Sequence, residues 1–210
     1  MSSVRALVEE QLGTGYRYQQ FDCNGVGLLP GTKVSLKMEA WGDLLKDFTG
    51  DSVLDIGCNL GFFTFLAAQR GASKSIGVDV DRKRIDWAER FRRQVRVEFD
   101  HEWMDRVEFL LDLDDVVGRF DYIFMWSVYH HMFKLHPDHD YWFQWLFEHL
   151  APDGQILFEG PFTPDYIIER IGLGDVWTRE TLEAAMSRFS WRYLGPAKHT
   201  GGREMVLLWR

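Results

Sequence analysis

Five residues are spaced as a ligand-holding turn: Asp55, Gly57, Asn59 and Gly61 in one short stretch, then Asp79 about 20 residues past the turn. Gly57 and Gly61 let the backbone bend where a Cβ would collide, and Asn59 is the non-glycine type that best tolerates left-handed torsion angles. A carboxylate at Asp79 can accept hydrogen bonds from both hydroxyls of a ribose, so a nucleoside-containing ligand is expected. The amides at the start of the following helix are expected to face the same crevice. A second reactive group is Tyr129, His130 and His131, where histidine suits a general base because it titrates near neutrality. The competing reading of the pair is structural, one histidine capping a helix and the other filling space. His131, His136 and His139 with Asp138 and Asp140 are irregularly spaced around Pro137, and no metal site is expected from them.

These residues need a βαβ frame. Val53 to Ile56 reads as a buried strand, Phe62 to Gln69 as a helix and Ser75 to Val80 as a second strand. The helix after Asp81 should bury Ile85, Ala88 and Phe91 or Arg92. Its basic residues, Arg82, Lys83, Arg84, Arg90, Arg92, Arg93 and Arg96, read as a solvated face, with RNA contact as the alternative. Val107 to Leu111 and the apolar run Phe120 to Ser127 read as strands three and four. Pro152 to Gly154 reads as a turn before strand five, Gln155 to Glu159, and Glu159 is expected near the acceptor. Thr178 is a helix N-cap, and Trp191 to Ala197 with Glu204 to Trp209 form a closing antiparallel hairpin.

Two nucleotide-binding patterns are absent. A dinucleotide fingerprint requires glycine where Asn59 and Phe62 stand, and no G-K-[ST] follows the turn as a Walker loop requires. What remains, an acid two residues before the first glycine, G-x-N-x-G, a helix and an acid closing strand two, resembles the class I S-adenosylmethionine-dependent methyltransferases. The turn at Gly27 to Gly31 and VLDIGCNLGFF together look most like the branch of the tRNA wobble-uridine carboxymethyltransferases. The class I resemblance implies a Rossmann-like α/β fold with a seven-stranded, mostly parallel sheet, helices on both faces and a C-terminal antiparallel hairpin. It implies S-adenosylmethionine as cofactor, with Asp55 positioning the turn and the donor's amino group and Gly57, Asn59 and Gly61 closing on its methionine part. It further implies that Asp79 holds the ribose, Asp112 and the Leu113 amide meet the adenine (Asp114 being the register alternative), and Trp126 flanks the methionine portion.

Around that core, Val4, Leu7, Val8 and Leu12 share a face of an N-terminal helix. Residues 16–33 suggest a strand or extended arm in which Tyr16, Tyr18 and Phe21 act as anchors or as a lid. Met38, Trp41, Leu44 and Leu45 recur at helical spacing. The expected division is an N-terminal helix and arm over 1–40 and a methyltransferase domain over 41–210, with a lid at 160–188. The aromatic helix Tyr141 to Leu150 is either deeply buried or the site of a homodimer contact. A chain of 210 residues, 46% hydrophobic, can build one substantial core. Its net charge of −8 advertises no broad basic face, so a small-molecule acceptor is expected before RNA. No stretch approaches a membrane span, no leader pattern opens the chain, and Cys23 and Cys58 suit reduced cytoplasmic thiols. The expected activity is methyl transfer to an oxygen, nitrogen or carbon acceptor. The alternatives are a tRNA methyl- or carboxymethyltransferase, for which the loops after strands four and five offer no arginine, and a non-catalytic donor-binding partner protein.

Overall fold

Among the described residues seven strands, β1 (Ser52–Ile56), β2 (Lys74–Val78), β3 (Val107–Leu110), β4 (Phe120–Trp126), β5 (Leu150–Gly160), β6 (Ser190–Pro196) and β7 (Glu204–Trp209), form one sheet in the order β3-β2-β1-β4-β5-β7-β6; seven strands with a C-terminal antiparallel pair are what the sequence led us to expect. The structure is a computed structural model, and it describes residues 3–14, 19, 31–162, 166–170, 172–197 and 202–210. The expectations for Tyr16, Tyr18, Phe21, Cys23 and the turn at Gly27 lie outside the described residues. The chain divides into two compact units, Met1–Val116 and Val117–Arg210.

The first unit runs α1 (Val4–Gly13), α2 (Thr32–Trp41), β1 (Ser52–Ile56), α3 (Phe62–Gln69), β2 (Lys74–Val78), α4 (Arg82–Phe99) and β3 (Val107–Leu110). β1 pairs with β2 and β2 with β3, both parallel. The α3 side chains from Phe62 to Ala68 are all buried, each phenylalanine contributing roughly 1.5–3 kcal/mol of burial. Phe65 meets Phe91 and Phe109 with ring centroids 5.3 Å apart in each case. α4 buries Ile85, Trp87, Ala88, Phe91 and Val95; Arg92 is ion-paired to Glu89 instead. α1 lies on α4: Val4, Leu7 and Val8 are buried, the Trp87 indole donates to the Leu7 carbonyl at 3.3 Å, and Arg90 pairs with Glu10 at 2.9 Å.

α2 corrects one expectation. Its buried stripe is Val34, Lys37 and Trp41, so a lysine occupies the line on which Met38 was expected. Gly42, at φ 44°, ends α2, and Leu44 and Leu45 follow in a short 3-10 turn.

The second unit runs β4 (Phe120–Trp126), α5 (Tyr129–Leu135), α6 (His139–His149), β5 (Leu150–Gly160), α7 (Tyr166–Arg170), α8 (Arg179–Met186), β6 (Ser190–Pro196) and β7 (Glu204–Trp209). β4 and β5 are parallel, and β7 is antiparallel to both β5 and β6. The expected turn at Pro152–Gly154 is instead part of one long strand. The register jumps from Phe120↔Leu150 to Tyr122↔Gln155, so the extra residues form a bulge. Gly154 makes it possible, since a Cβ there would stand 2.9 Å from the Phe120 carbonyl oxygen. α6 buries Trp142, Phe143 and Leu146, and its Phe147 ring is covered by Arg210, whose guanidinium lies 4.1 Å from the centroid. Thr178 caps α8 in a reciprocal capping box with Thr181.

Candidate functional site

The turn between β1 and α3 bends through three left-handed residues: Gly57 at φ 71°, Asn59 at 59° and Gly61 at 84°. Glycine is demanded at 61 for a second reason, because a Cβ there would come within 2.5 Å of the Phe109 ring. Every amide from Gly57 to Phe62 is hydrogen-bonded within the protein. Gly57 and Cys58 donate to the Val78 carbonyl at 2.8 and 3.0 Å, and Gly61 to the Cys58 carbonyl at 2.9 Å. Asn59 donates to Asp79 Oδ2 at 2.9 Å. Leu60 and Phe62 donate to Gln19 Oε1 at 3.0 and 3.3 Å. The expectation that the helix-start amides lie open toward the crevice is therefore corrected for Leu60 and Phe62.

Asp79 stands just past β2, as expected, and is only 7% exposed. Besides Asn59 it accepts the Asp81 amide on Oδ1 at 2.9 Å, and Arg84 lies 3.7 Å away. A carboxylate has about four acceptor sites, so both oxygens retain capacity for hydroxyl donors.

Asp55, on β1, is 1% exposed. Its Oδ2 accepts the Thr64 hydroxyl at 2.8 Å, while its Oδ1 meets no partner among the described residues. Burial pushes its carboxyl up to about 7, against the lowering effects of the Thr64 hydrogen bond and of the buried Lys37 ammonium. The side-chain oxygen of Asn59 is a second buried acceptor with no partner among the described residues. Burial, and then the charges of Asp55 and Asp79, push the Cys58 thiol up, so it is no nucleophile.

Past β3, Asp112 caps a 3-10 turn spanning Leu113 to Asp115 and accepts the Asp114 amide at 3.1 Å. The Asp79 amide donates to the Leu110 carbonyl at 3.2 Å, which sets the ends of β2 and β3 side by side.

In the second unit, Trp126 is buried at the end of β4. Ser127 follows at φ 57°, a left-handed conformation costly for a non-glycine residue. It is fastened to β5 twice: its amide donates to the Glu159 carbonyl at 2.9 Å, and its hydroxyl to the Glu159 carboxylate. Glu159 is fully buried. Tyr129 is a core residue with no exposed surface. It shares a 2.6 Å hydrogen bond with His139 Nδ1, and its ring packs against Phe158 and Trp177 at 5.3 Å. His130 is buried and His131 exposed, with ring centroids 4.1 Å apart.

Three participants were not visible in the sequence. Gln19 lies in a stretch without periodicity, and Lys37 and Thr64 carry no signal that sets them apart from other helix residues.

The buried oxygens with spare capacity and the committed amides suit a ligand rich in hydroxyl and ammonium groups and without phosphate, and S-adenosylmethionine fits that description. Fold and turn together define a class I methyltransferase arrangement. Residues 34–203 match the family described as a methyltransferase domain, and the chain belongs to that family, within the S-adenosylmethionine-dependent methyltransferases. The ribosomal protein L11 methyltransferase of Thermotoga maritima is 34% identical over 101 residues, covering 47% of this chain and 34% of the relative. That of Escherichia coli K12 is 41% identical over 61 residues, covering 29% of this chain and 20% of the relative. The chain thus spans about a third or less of the length of these relatives. Among solved structures, WbdD superposes with a TM-score of 0.65 at 20% identity, covering 99% of this chain and 47% of that one. The magnesium protoporphyrin IX methyltransferase of Synechocystis PCC 6803, solved with bound S-adenosylmethionine, gives 0.59 at 16% identity, covering 85% and 79%. These structures share the fold.

Proposed function

We propose that this protein transfers the methyl group of S-adenosylmethionine to a small-molecule acceptor. The observation that carries the donor assignment is the state of the turn: its six amides, Gly57 to Phe62, are satisfied internally, while Asp55 and Asn59 keep buried acceptors without partners among the described residues. Such a turn offers a pyrophosphate nothing and offers a cation several acceptors. When bound, the donor supplies a methyl group on a positively charged sulfur, which is intrinsically activated.

The protein's share is alignment and exclusion of water. Asp79 accepts the ribose hydroxyls and Asp55 draws the ammonium group. Gly57, Asn59 and Gly61 shape the turn around the methionine part, and Asp112 and the Leu113 amide take the adenine. Either His130 or His131 is the candidate base where the acceptor must lose a proton. Tyr129, sealed in an aromatic core, belongs to the scaffold.

A small-molecule acceptor is supported by the pairing of the basic helix: Arg84, Arg90, Arg92 and Arg96 of α4 are all engaged with acidic residues. Four of the seven basic residues of this helix are thus partly neutralised, which weakens the phosphate-binding face that RNA requires, while Arg82, Lys83 and Arg93 stay exposed on it. The finer likeness to the wobble-uridine branch rests on the sequence pattern alone. Calorimetric titration of the purified chain separates the readings: S-adenosylmethionine binds, and nicotinamide dinucleotides and ATP give no heat. Binding of a dinucleotide in place of S-adenosylmethionine rejects the assignment. A screen with methyl-labelled donor against metabolite pools and against bulk tRNA then decides the acceptor class.

A further inference from the structure

Gln19 is a buried polar side chain to which the donor reading above gives no task. It is 5% exposed and lies about forty residues before the turn, yet among the described residues its amide group is bonded to that turn. Its Nε2 donates to the Cys58 carbonyl at 3.2 Å, and its Oε1 accepts the Leu60 and Phe62 amides. A primary amide presents a donor and an acceptor together, which neither a carboxylate nor a hydrocarbon of similar size can do. Gln19 thus spans the bend from its entry at Cys58 to the first helical residue, Phe62. Asp79, just past β2, holds the intervening Asn59 amide, so the turn is pinned by two side chains remote from it in sequence.

We propose that Gln19 is a positioning residue for the donor, a clamp that fixes the turn in the shape that presents Asp55, Asn59 and Asp79 to it. This rests on the donor reading and assigns it a component outside the glycine motif. Without the clamp, the Leu60 and Phe62 amides lose their partner, and the turn samples shapes in which the acceptors no longer converge. The N-terminal stretch would thereby contribute to donor affinity through the backbone of the turn.

The test uses the full chain as wild type, Gln19→Ala and Gln19→Glu. Hydrogen exchange, read without donor, gives Leu60 and Phe62 amides that exchange about tenfold faster in Gln19→Ala, the loss expected for a buried hydrogen-bond partner, while Ile76 and Val78 are unchanged. Titration with S-adenosylmethionine gives a dissociation constant raised about tenfold in Gln19→Ala. Gln19→Glu behaves like the alanine variant at pH 8, where its carboxylate faces the Cys58 carbonyl as acceptor against acceptor. Toward pH 5.5 it recovers relative to wild type at the same pH, because the protonated acid donates to Cys58 as the amide does. A merely structural residue would not show that pH-dependent rescue. Unaltered exchange at Leu60 and Phe62 overturns the proposal, as does unaltered donor affinity in Gln19→Ala. Tighter binding in Gln19→Ala also overturns it, since Gln19 would then be a plug in the donor's place. Failure of the wild type to bind S-adenosylmethionine sinks the donor reading and with it Gln19's role toward the donor, while the exchange arm, which needs no donor, still decides whether Gln19 clamps the turn.

Discussion

Asp79 and Asn59, twenty residues apart in sequence, are joined by a 2.9 Å hydrogen bond from the Asn59 amide to the Asp79 carboxylate. The residue proposed to bind ribose is therefore also a strut of the turn that meets the rest of the donor. Asp79→Ala removes both functions. We expect donor affinity to fall about 50-fold or more, as loss of a buried charged acceptor implies, with a lower unfolding temperature from the stranded Asn59 and Asp81 amides. Asp79→Asn retains an acceptor and should lie between the two. Calorimetry of binding and of unfolding reads both effects.

Asp55 links the site to pH. Its carboxyl is pushed from 3.8 up to about 7 by burial, so between those values the folded chain holds a proton that the unfolded chain has released. Stability contributed by this group thus declines as pH rises through that window, by up to roughly 4 kcal/mol at 1.36 kcal/mol per pH unit. Asp55→Asn should flatten that slope in urea melts taken from pH 4.5 to 8.

The same ionisation should govern donor binding in the opposite sense, since an ammonium group prefers the charged carboxylate. We expect affinity to improve about tenfold from pH 6 to pH 8. Thr64→Val, which removes the hydroxyl that stabilises the carboxylate, should move the midpoint to higher pH. A flat affinity profile in wild type would contradict the role given to Asp55.

Much of this arrangement could be read from the chain itself, and the reasons are local. The helix Phe62–Gln69, the Thr178 cap and the final hairpin were legible because apolar period, capping chemistry and turn residues each lie within a few positions of what they determine. Pro152–Gly154 misled because its turn chemistry is absorbed by a bulge that depends on packing against Phe120. Lys37 and Gln19 were invisible for a related cause. The Asp55 carboxyl that the Lys37 charge acts on lies eighteen positions away and the amides that Gln19 holds some forty, and neither periodicity nor composition reports such a distance.

Tyr129 offers a test of the second unit's core. Its hydroxyl shares a hydrogen bond with His139, a histidine whose pKa burial lowers from 6.5 to about 4. The stability carried by the neutral imidazole is complete above pH 6.5 and is lost as pH falls toward 4. Tyr129→Phe strips one partner from the buried ring. We expect it to cost about 1–3 kcal/mol of stability with donor binding unchanged, whereas a catalytic tyrosine would lose turnover at undiminished stability.

Gly50 and Gly61 share a positive φ, 86° and 84°, but a Cβ at Gly50 meets open space while one at Gly61 collides with Phe109. Gly50→Ala should therefore cost about 1 kcal/mol for torsion alone, and Gly61→Ala several kcal/mol from torsion and overpacking together. Equal losses in denaturant melts would show that the Phe109 ring swings aside.

The grip of α1 on α4, through the Trp87 indole and the Arg90–Glu10 pair, bears on how the protein tolerates trimming. A chain cut after Thr14 would bare an oily ridge along α4 and leave Arg90 without its counter-charge. Such a fragment, with every motif of the glycine turn intact, is a candidate for precipitation, and its silence in an assay would say nothing about the chemistry.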